Sequence, residues 1–264
     1  MPRALWSGSL SFGLVNVPVR LVPATRDLGI HFHQLDGKSK ARIEIRRVCA
    51  KEGKEVPWED IAHGFDLGKR CVMLTDDELE RLAPDKTRTI DVETFADRAD
   101  VDPEQLDHPY FLVPAGGEGA ARAYRLLADA LDRDDRVAIG RFVLRTREYL
   151  VAISVRDGAL ALSTMLFADE LRDPKDLGDA RIMAADKPSR TAVDNAVKLV
   201  KALRTDFDPE AYDDRHRKRL KRLIAKKRKG GEIAAPPEPE VPEPAPDLLA
   251  ALRESLRDAK KARA

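Results

Sequence analysis

The sequence predicts an α+β protein rich in β-structure: a β-barrel or curled sheet with helices attached and a helical tail. Two patterns carry that expectation. Three strand-like runs follow one another at Val137–Leu144, Tyr149–Val155 and Leu160–Leu166, and consecutive antiparallel strands of this kind close or curl to protect their edges. Helical periodicity recurs at 118–133, 189–204 and 208–229. With 264 residues and a 43% apolar share, the chain can bury a real core as one large domain or two smaller ones.

Taken in order, residues Leu10 to Val22 alternate as a strand, with Val15, Val17, Val19 and Leu21 on one face and Leu14, Asn16 and Arg20 on the other. Pro18 makes it an edge strand or one with a local break. Arg42-Ile43-Glu44-Ile45-Arg46 alternates too, which predicts Ile43 and Ile45 inward and Arg42 and Arg46 exposed. Thr75-Asp76-Asp77-Glu78 is a capping box opening a short acidic helix, and Asp102-Pro103-Glu104 predicts a second helix start. The helix over Glu118–Arg133 places Ala120, Tyr124, Leu127 and Leu131 on one stripe. Arg156-Asp157-Gly158 is a hairpin turn in which Gly158 takes positive φ. Ser189 caps a helix to Arg204 with Val193, Ala196, Val197, Val200 and Leu203 on its stripe. Asp208-Pro209-Glu210 starts another, carrying Tyr212, Leu220, Leu223 and Ile224 and ended by Gly230-Gly231. Six prolines between Pro236 and Pro246 form an extended linker. Beyond it, 247–264 is a short amphipathic segment with Leu248, Leu249, Leu252 and Leu256 as its apolar positions. Such a segment is marginal alone, so it reads equally as a recruitment peptide that folds when docked or as a frayed tail. The expected organisation is a core over 1–205, a basic helical segment over 206–231, a Pro/Glu-rich linker over 232–246 and the tail over 247–264.

The 47 Lys+Arg and 46 Asp+Glu sum to a net charge of +1, a total that by itself argues against a nucleic-acid partner. The distribution argues the opposite. Residues Asp36 to Lys54 hold seven basic and three acidic side chains, Asp76 to Asp107 four basic and twelve acidic, and Arg215 to Lys229 ten basic and no acidic ones. Salt screens fields beyond ~8–10 Å, so each block acts on its own surroundings, and a run of ten cations calls for an external anion.

Other classes are excluded by absence of their signatures. No apolar run approaches the roughly 20 residues of a membrane span, and no signal peptide is evident, so a cytoplasmic, nucleoid-associated location is expected. Cys49 and Cys71 stand alone, without the spacing of a disulfide framework or a four-ligand zinc site. The chain lacks GxxxxGK[ST], HExxH and GxSxG. Gly116-Gly117-Glu118-Gly119 is a turn opening a helix, and His31 and His33 have no third ligand nearby. No catalytic residue, metal or cofactor is assigned.

Ala4-Leu-Trp-Ser-Gly-Ser-Leu-Ser-Phe-Gly-Leu-Val-Asn-Val-Pro18 resembles the opening signature of bacterial Ku, the DNA-end-binding family of non-homologous end joining. The resemblance continues through Phe32-His33-Gln34, Arg47-Val48-Cys49, Glu55-Val56-Pro57-Trp58-Glu59-Asp60-Ile61 and Leu74-Thr75-Asp76-Asp77-Glu78-Leu79. It runs on through Pro109-Tyr110-Phe111-Leu112, Arg136-Val137-Ala138-Ile139 and Asp169-Glu170-Leu171-Arg172-Asp173-Pro174, and covers residues 3 to 229 in order. It implies a Ku-core-like β-barrel with bridging loops that form a homodimeric ring around double-stranded DNA ends, independent of sequence. It also implies recruitment of the ATP-dependent DNA ligase D through the C-terminal region, here Leu248, Leu249, Leu252 and Leu256. Such a ring holds DNA through phosphates, each neutralised one adding roughly −0.9 to the salt slope. The DNA-binding residues expected are Arg42, Arg46 and Arg47, on the strand that resembles the bridge, then Lys38, Lys40 and Arg20, then Arg217, Lys218, Lys221 and Arg222 on the basic helix. The alternative the family allows is a lyase acting on abasic or 5′-deoxyribose phosphate ends through a Lys Schiff base. Many relatives carry a second Cys soon after the position of Cys49, in a zinc-like pattern; here Ala50-Lys51-Glu52 follows, which puts a metal there in doubt.

Overall fold

The computed structural model describes residues 3–68, 70–82, 88–177 and 188–230, together with residue 254. The chain divides into two compact units, Met1–Asp176 and Leu177–Ala264.

Seven strands of the first unit close into a barrel. In chain order they are β1 (Trp6–Phe12), β2 (Val15–Pro23), β5 (Thr89–Asp97), β6 (Leu106–Pro114), β7 (Arg136–Leu144), β8 (Arg147–Arg156) and β9 (Ala159–Met165), arranged β1-β2-β6-β9-β8-β7-β5. The ring shuts where β1 meets β5 in parallel, Leu10 beside Ile90, while the other neighbours run antiparallel. Period-two alternation decides what faces in. In β1, Leu10 is buried while Ser7, Ser9 and Ser11 alternate with it on the outer face; in β2, Val17, Val19 and Leu21 are buried. With Ile90, Leu112, Phe142, Val151, Ile153, Leu160 and Leu162 they fill the interior. Phe142 meets Trp6 edge-on at 5.7 Å between ring centroids. A Cβ at Gly8 would run into the Arg88 carbonyl, so glycine lets β1 and the start of β5 approach.

Helix α2 (Glu118–Arg133) packs Tyr124, Leu127, Ala128 and Leu131 onto this core. The buried Tyr124 hydroxyl donates to the Leu112 carbonyl (2.7 Å) and accepts from the Leu160 amide (2.8 Å), so it ties the last part of β6 to the first part of β9. Burial pushes the Tyr124 phenol up and keeps it a donor. The predicted β7–β8–β9 run is present, and Asp157 (φ 52°) and Gly158 (φ 74°) make the expected left-handed turn between β8 and β9.

Four local expectations are corrected. Residues 10–22 are a hairpin rather than one strand: the chain turns at Gly13 (φ 57°) and Leu14, so Phe12 faces Val15 across it. Pro18 stands on a strand paired on both sides; its missing amide falls where the β2–β6 ladder runs out, and its carbonyl accepts from Ala115. Asp102-Pro103-Glu104 opens only a 3₁₀ turn, Pro103–Gln105, that feeds β6. Asp208-Pro209-Glu210 likewise makes a 3₁₀ turn, Pro209–Ala211, and the basic helix starts later, at Arg215.

A two-stranded ribbon, β3 (His63–Asp66) with β4 (Cys71–Leu74), leads into α1 (Asp76–Leu82). The Thr75 hydroxyl accepts from the Glu78 amide (3.2 Å) while the Glu78 carboxylate accepts from the Thr75 amide (2.9 Å), the reciprocal box the sequence predicts. In the second unit, α3 (Arg190–Leu203) is capped by Ser189, whose hydroxyl accepts from the Ala192 amide. Helix α4 (Arg215–Arg228) is capped by Asp214, which accepts from the Arg217 amide at 2.8 Å. Among the described residues no helix is long and apolar enough to cross a membrane.

Candidate nucleic-acid interface

Between the end of β2 and the start of β5 the chain leaves the barrel and forms an arm. Residues Arg42 to Arg46 are not a strand there: the segment joins two small hairpins, and Ile43 and Ile45 are exposed, Ile45 at 88%. Alternation misleads at this point because the segment has no sheet beneath it to receive the isoleucines.

The first hairpin pairs Leu35 with Arg42; its tip is held by the Asp36 amide donating to the Ala41 carbonyl (2.9 Å) and the Lys40 amide donating to Asp36 (3.0 Å). The Asp36 carboxylate accepts from the amides of Ser39 and Lys38 and from the Ser39 hydroxyl, and these bonds hold its carboxyl below the usual range. Its charge therefore serves the turn. Lys40 takes a left-handed φ of 62°, and Lys38, Lys40 and Arg42 stand around this one tip.

The second hairpin pairs Val48 with Glu55, with Arg47 accepting from the Val56 amide at its base and Gly53 (φ 68°) in its turn. Arg46 is gripped by Glu44 (3.1 Å) and Glu55 (3.2 Å), whereas Arg47 lies over the Trp58 ring, 4.6 Å from its centroid. Of the seven cations from Lys38 to Lys54, only Arg46 is in an ion pair among the described residues.

Pairing separates the rest of the predicted set. Arg20 is exposed on β2, on the barrel's outer wall, with Ser7 directly opposite on β1. On α4, Arg217 faces Asp214 (3.9 Å) and Lys218 meets Asp213, while Lys221 and Arg222 have no ion-pair partner among the described residues. This helix belongs to the second unit. Leu248, Leu249, Leu252 and Leu256 lie outside the described residues, as does the linker 232–246.

Two features escape a sequence reading. The outward hydroxyls Ser7, Ser9 and Ser11 line β1 beside Asn16 and Arg20, a signal present only as the polar half of the alternation Trp-Ser-Gly-Ser-Leu-Ser-Phe. Arg145, in the β7–β8 turn with φ 63°, has no hydrogen-bond or ion-pair partner among the described residues.

Cys49 is a free thiol whose sulfur faces the amides of Glu52 and Lys51, which hold its pKa below the ordinary thiol value. One thiol bonded by backbone amides does not supply the donor set of a four-ligand zinc site, so the described residues here do not fit one. His31 is bonded to Asp27 at 3.0 Å, and among the described residues no group of three or more His, Cys, Asp and Glu could hold a metal ion.

Fold and charge together define a class: a closed β-barrel protein with a long arm inserted between β2 and β5 that carries a basic block over residues 36–54. The family model described as "Ku70/Ku80 beta-barrel domain" matches residues 11–196. The curated "Non-homologous end joining protein Ku 1" of Saccharopolyspora erythraea is 40% identical over 264 residues, which is 100% of this chain and 81% of that protein. "Non-homologous end joining protein Ku" of Anaeromyxobacter sp. is 43% identical over 238 residues (89% and 79%), and that of Mycobacterium tuberculosis 37% over 270 residues (98% and 97%). The chain belongs to the Ku family.

Proposed function

We propose that the chain acts in non-homologous end joining as a non-catalytic, sequence-independent clamp on double-stranded DNA ends, formed by two copies of itself. The observation that carries this reading is the arm: of the seven cations from Lys38 to Lys54 on its backbone-held hairpins, all but Arg46 lack an ion-pair partner among the described residues, and neither hairpin offers a groove-reading helix. Such charges suit phosphates rather than base edges.

The arm also supports the dimer. Phe32, Ile43, Ile45, Trp58 and Phe65 are all more than half exposed, a concentration of large apolar side chains that a soluble surface rarely carries unpartnered. A second copy, offering the same residues through two-fold symmetry, would bury them and close a ring. Ends are then preferred for a topological reason, since a closed ring is entered only from an end. Lys221 and Arg222 of α4 would add to the phosphate grip. The amphipathic spacing of Leu248, Leu249, Leu252 and Leu256 supports their role as the anchors for DNA ligase D, laid into a groove as a helix.

Linear duplex and a covalently closed circle of equal length separate this reading from plain basic binding. Tight binding to the linear form alone is expected; equal affinity for both would remove the ring.

A further inference from the structure

The two ends of the barrel differ. At one, α2 seals the interior, with Tyr124 bonded to the last part of β6 and the first part of β9. At the other, where β6 begins, β9 ends and the β7–β8 turn stands, the apolar filling gives way to a polar mouth. It encloses a cavity of about 380 Å³ whose lining includes Tyr110, Tyr149, Arg145, Arg147, Asp107 and Thr164. Mouths of β-barrels with a few convergent polar groups over an apolar floor are habitual ligand sites, typically of ~300–1,000 Å³.

Each lining group has a definable chemistry. Thr164 is 2% exposed, and its hydroxyl accepts from the His108 amide (3.0 Å) and donates toward Asp107 (3.5 Å). Asp107 lies 2.7 Å from His108 Nδ1 and lines the cavity, where its carboxylate keeps acceptor capacity. The Arg147 guanidinium sits 5.4 Å from the Tyr149 ring centroid, with Glu170 at 3.4 Å. Arg145 is held at the rim by its turn and has no anion to meet among the described residues. Burial pushes the Tyr110 phenol up, so it remains a donor. Behind this layer the interior is filled by Phe142 and Leu162, which leaves no tunnel for an acyl chain.

We propose that this mouth binds a nucleotide, with Arg145 and Arg147 on its phosphate, Tyr110 and Tyr149 against its base, and Asp107 accepting from a sugar hydroxyl or base amine. A bare phosphate would leave the aromatic walls and Asp107 unused, and a bare nucleoside would leave Arg145 unused. The ligand chemistry is shared by a free mononucleotide and by the 5′-terminal nucleotide of a DNA strand. The site does not depend on the clamp reading, because free-nucleotide binding is measurable without it.

The test is calorimetric titration of the full chain with deoxyadenosine 5′-monophosphate, deoxyadenosine and inorganic phosphate. Saturable binding of the monophosphate is expected, weaker by about tenfold or more for each of the other two. Arg145→Asn, which keeps the left-handed turn, is expected to weaken it by about tenfold with the thermal midpoint unchanged, and Arg147→Gln to do likewise. Competition by a 5′-phosphorylated single strand but not a 5′-hydroxyl one assigns the site to a DNA terminus; competition by neither assigns it to a free nucleotide. No saturation in the millimolar range, equal binding of phosphate alone or nucleoside alone, unchanged affinity in both variants, or equal competition by both strands would each overturn the proposal.

Discussion

The barrel wall and the arm carry the same kinds of charge and treat them in opposite ways. On the wall around β7, guanidiniums are matched, unlike Arg20 on β2: Arg141 lies between Glu93 (3.0 Å) and Glu148 (3.2 Å), Arg136 between Asp134 (3.0 Å) and Asp97, and Arg98 against Asp135 (2.7 Å). On the arm, Lys38, Lys40 and Arg42 surround a carboxylate, Asp36, that is turned toward backbone amides. A matched pair has little field beyond a Debye length, whereas unmatched cations on one tip present a local potential to any phosphate that approaches. A net charge of +1 is thus compatible with a strongly cationic working surface.

The largest effect expected is on DNA. Replacing Lys38, Lys40 and Arg42 together by Gln should lower affinity for short linear duplex about a hundredfold at ~0.15 M salt, equally for any sequence, by fluorescence anisotropy. A loss smaller than about threefold would mean that the arm tip is not where phosphate is held.

Stability should divide the two regions the other way. Tyr124→Phe strands the Leu112 carbonyl and the Leu160 amide inside the barrel and should cost about 1–3 kcal/mol in denaturant unfolding. Ile45→Ser, at a site 88% exposed, should change monomer stability by less than about 0.5 kcal/mol while weakening self-association in sedimentation.

Freeing a matched arm cation sharpens the comparison further. Glu44→Gln with Glu55→Gln releases Arg46 and should raise duplex affinity about fivefold, the worth of one added phosphate contact at ~0.15 M salt. The smallest effect belongs to the wall: Arg136→Gln and Arg141→Gln should leave DNA affinity within about twofold and cost only about 0.5–1 kcal/mol of stability each.

What the sequence reveals follows from where each residue finds its partner. β7, β8 and β9 are legible because neighbours in sequence are neighbours in the barrel, and the caps at Thr75 and Ser189 because their bonds close within three residues. Strands β5 and β6 are hidden by register shifts at Val92/Thr94 and Leu106/Pro109, which break period-two alternation. The basic arm is legible as composition, but its hairpins are not, since they rest on backbone bonds that any side chains could accompany. Nor is the neutralised state of Arg46 visible: Glu55 is nine residues away and reaches it only once the second hairpin closes. The barrel mouth is the extreme case, assembled from β6, β8, β9 and the β7–β8 turn.

The central claim is that unmatched arm cations, not the barrel wall, hold phosphate. It is tested most directly by the slope of log Kobs against log salt for the unaltered chain, the Lys38/Lys40/Arg42→Gln variant and the Arg136/Arg141→Gln variant. The account predicts that the arm variant loses about 2.7 from the slope, three contacts at roughly 0.9 each, while the wall variant runs parallel to the unaltered chain. Parallel lines for the arm variant, or a flattened line for the wall variant, would contradict it.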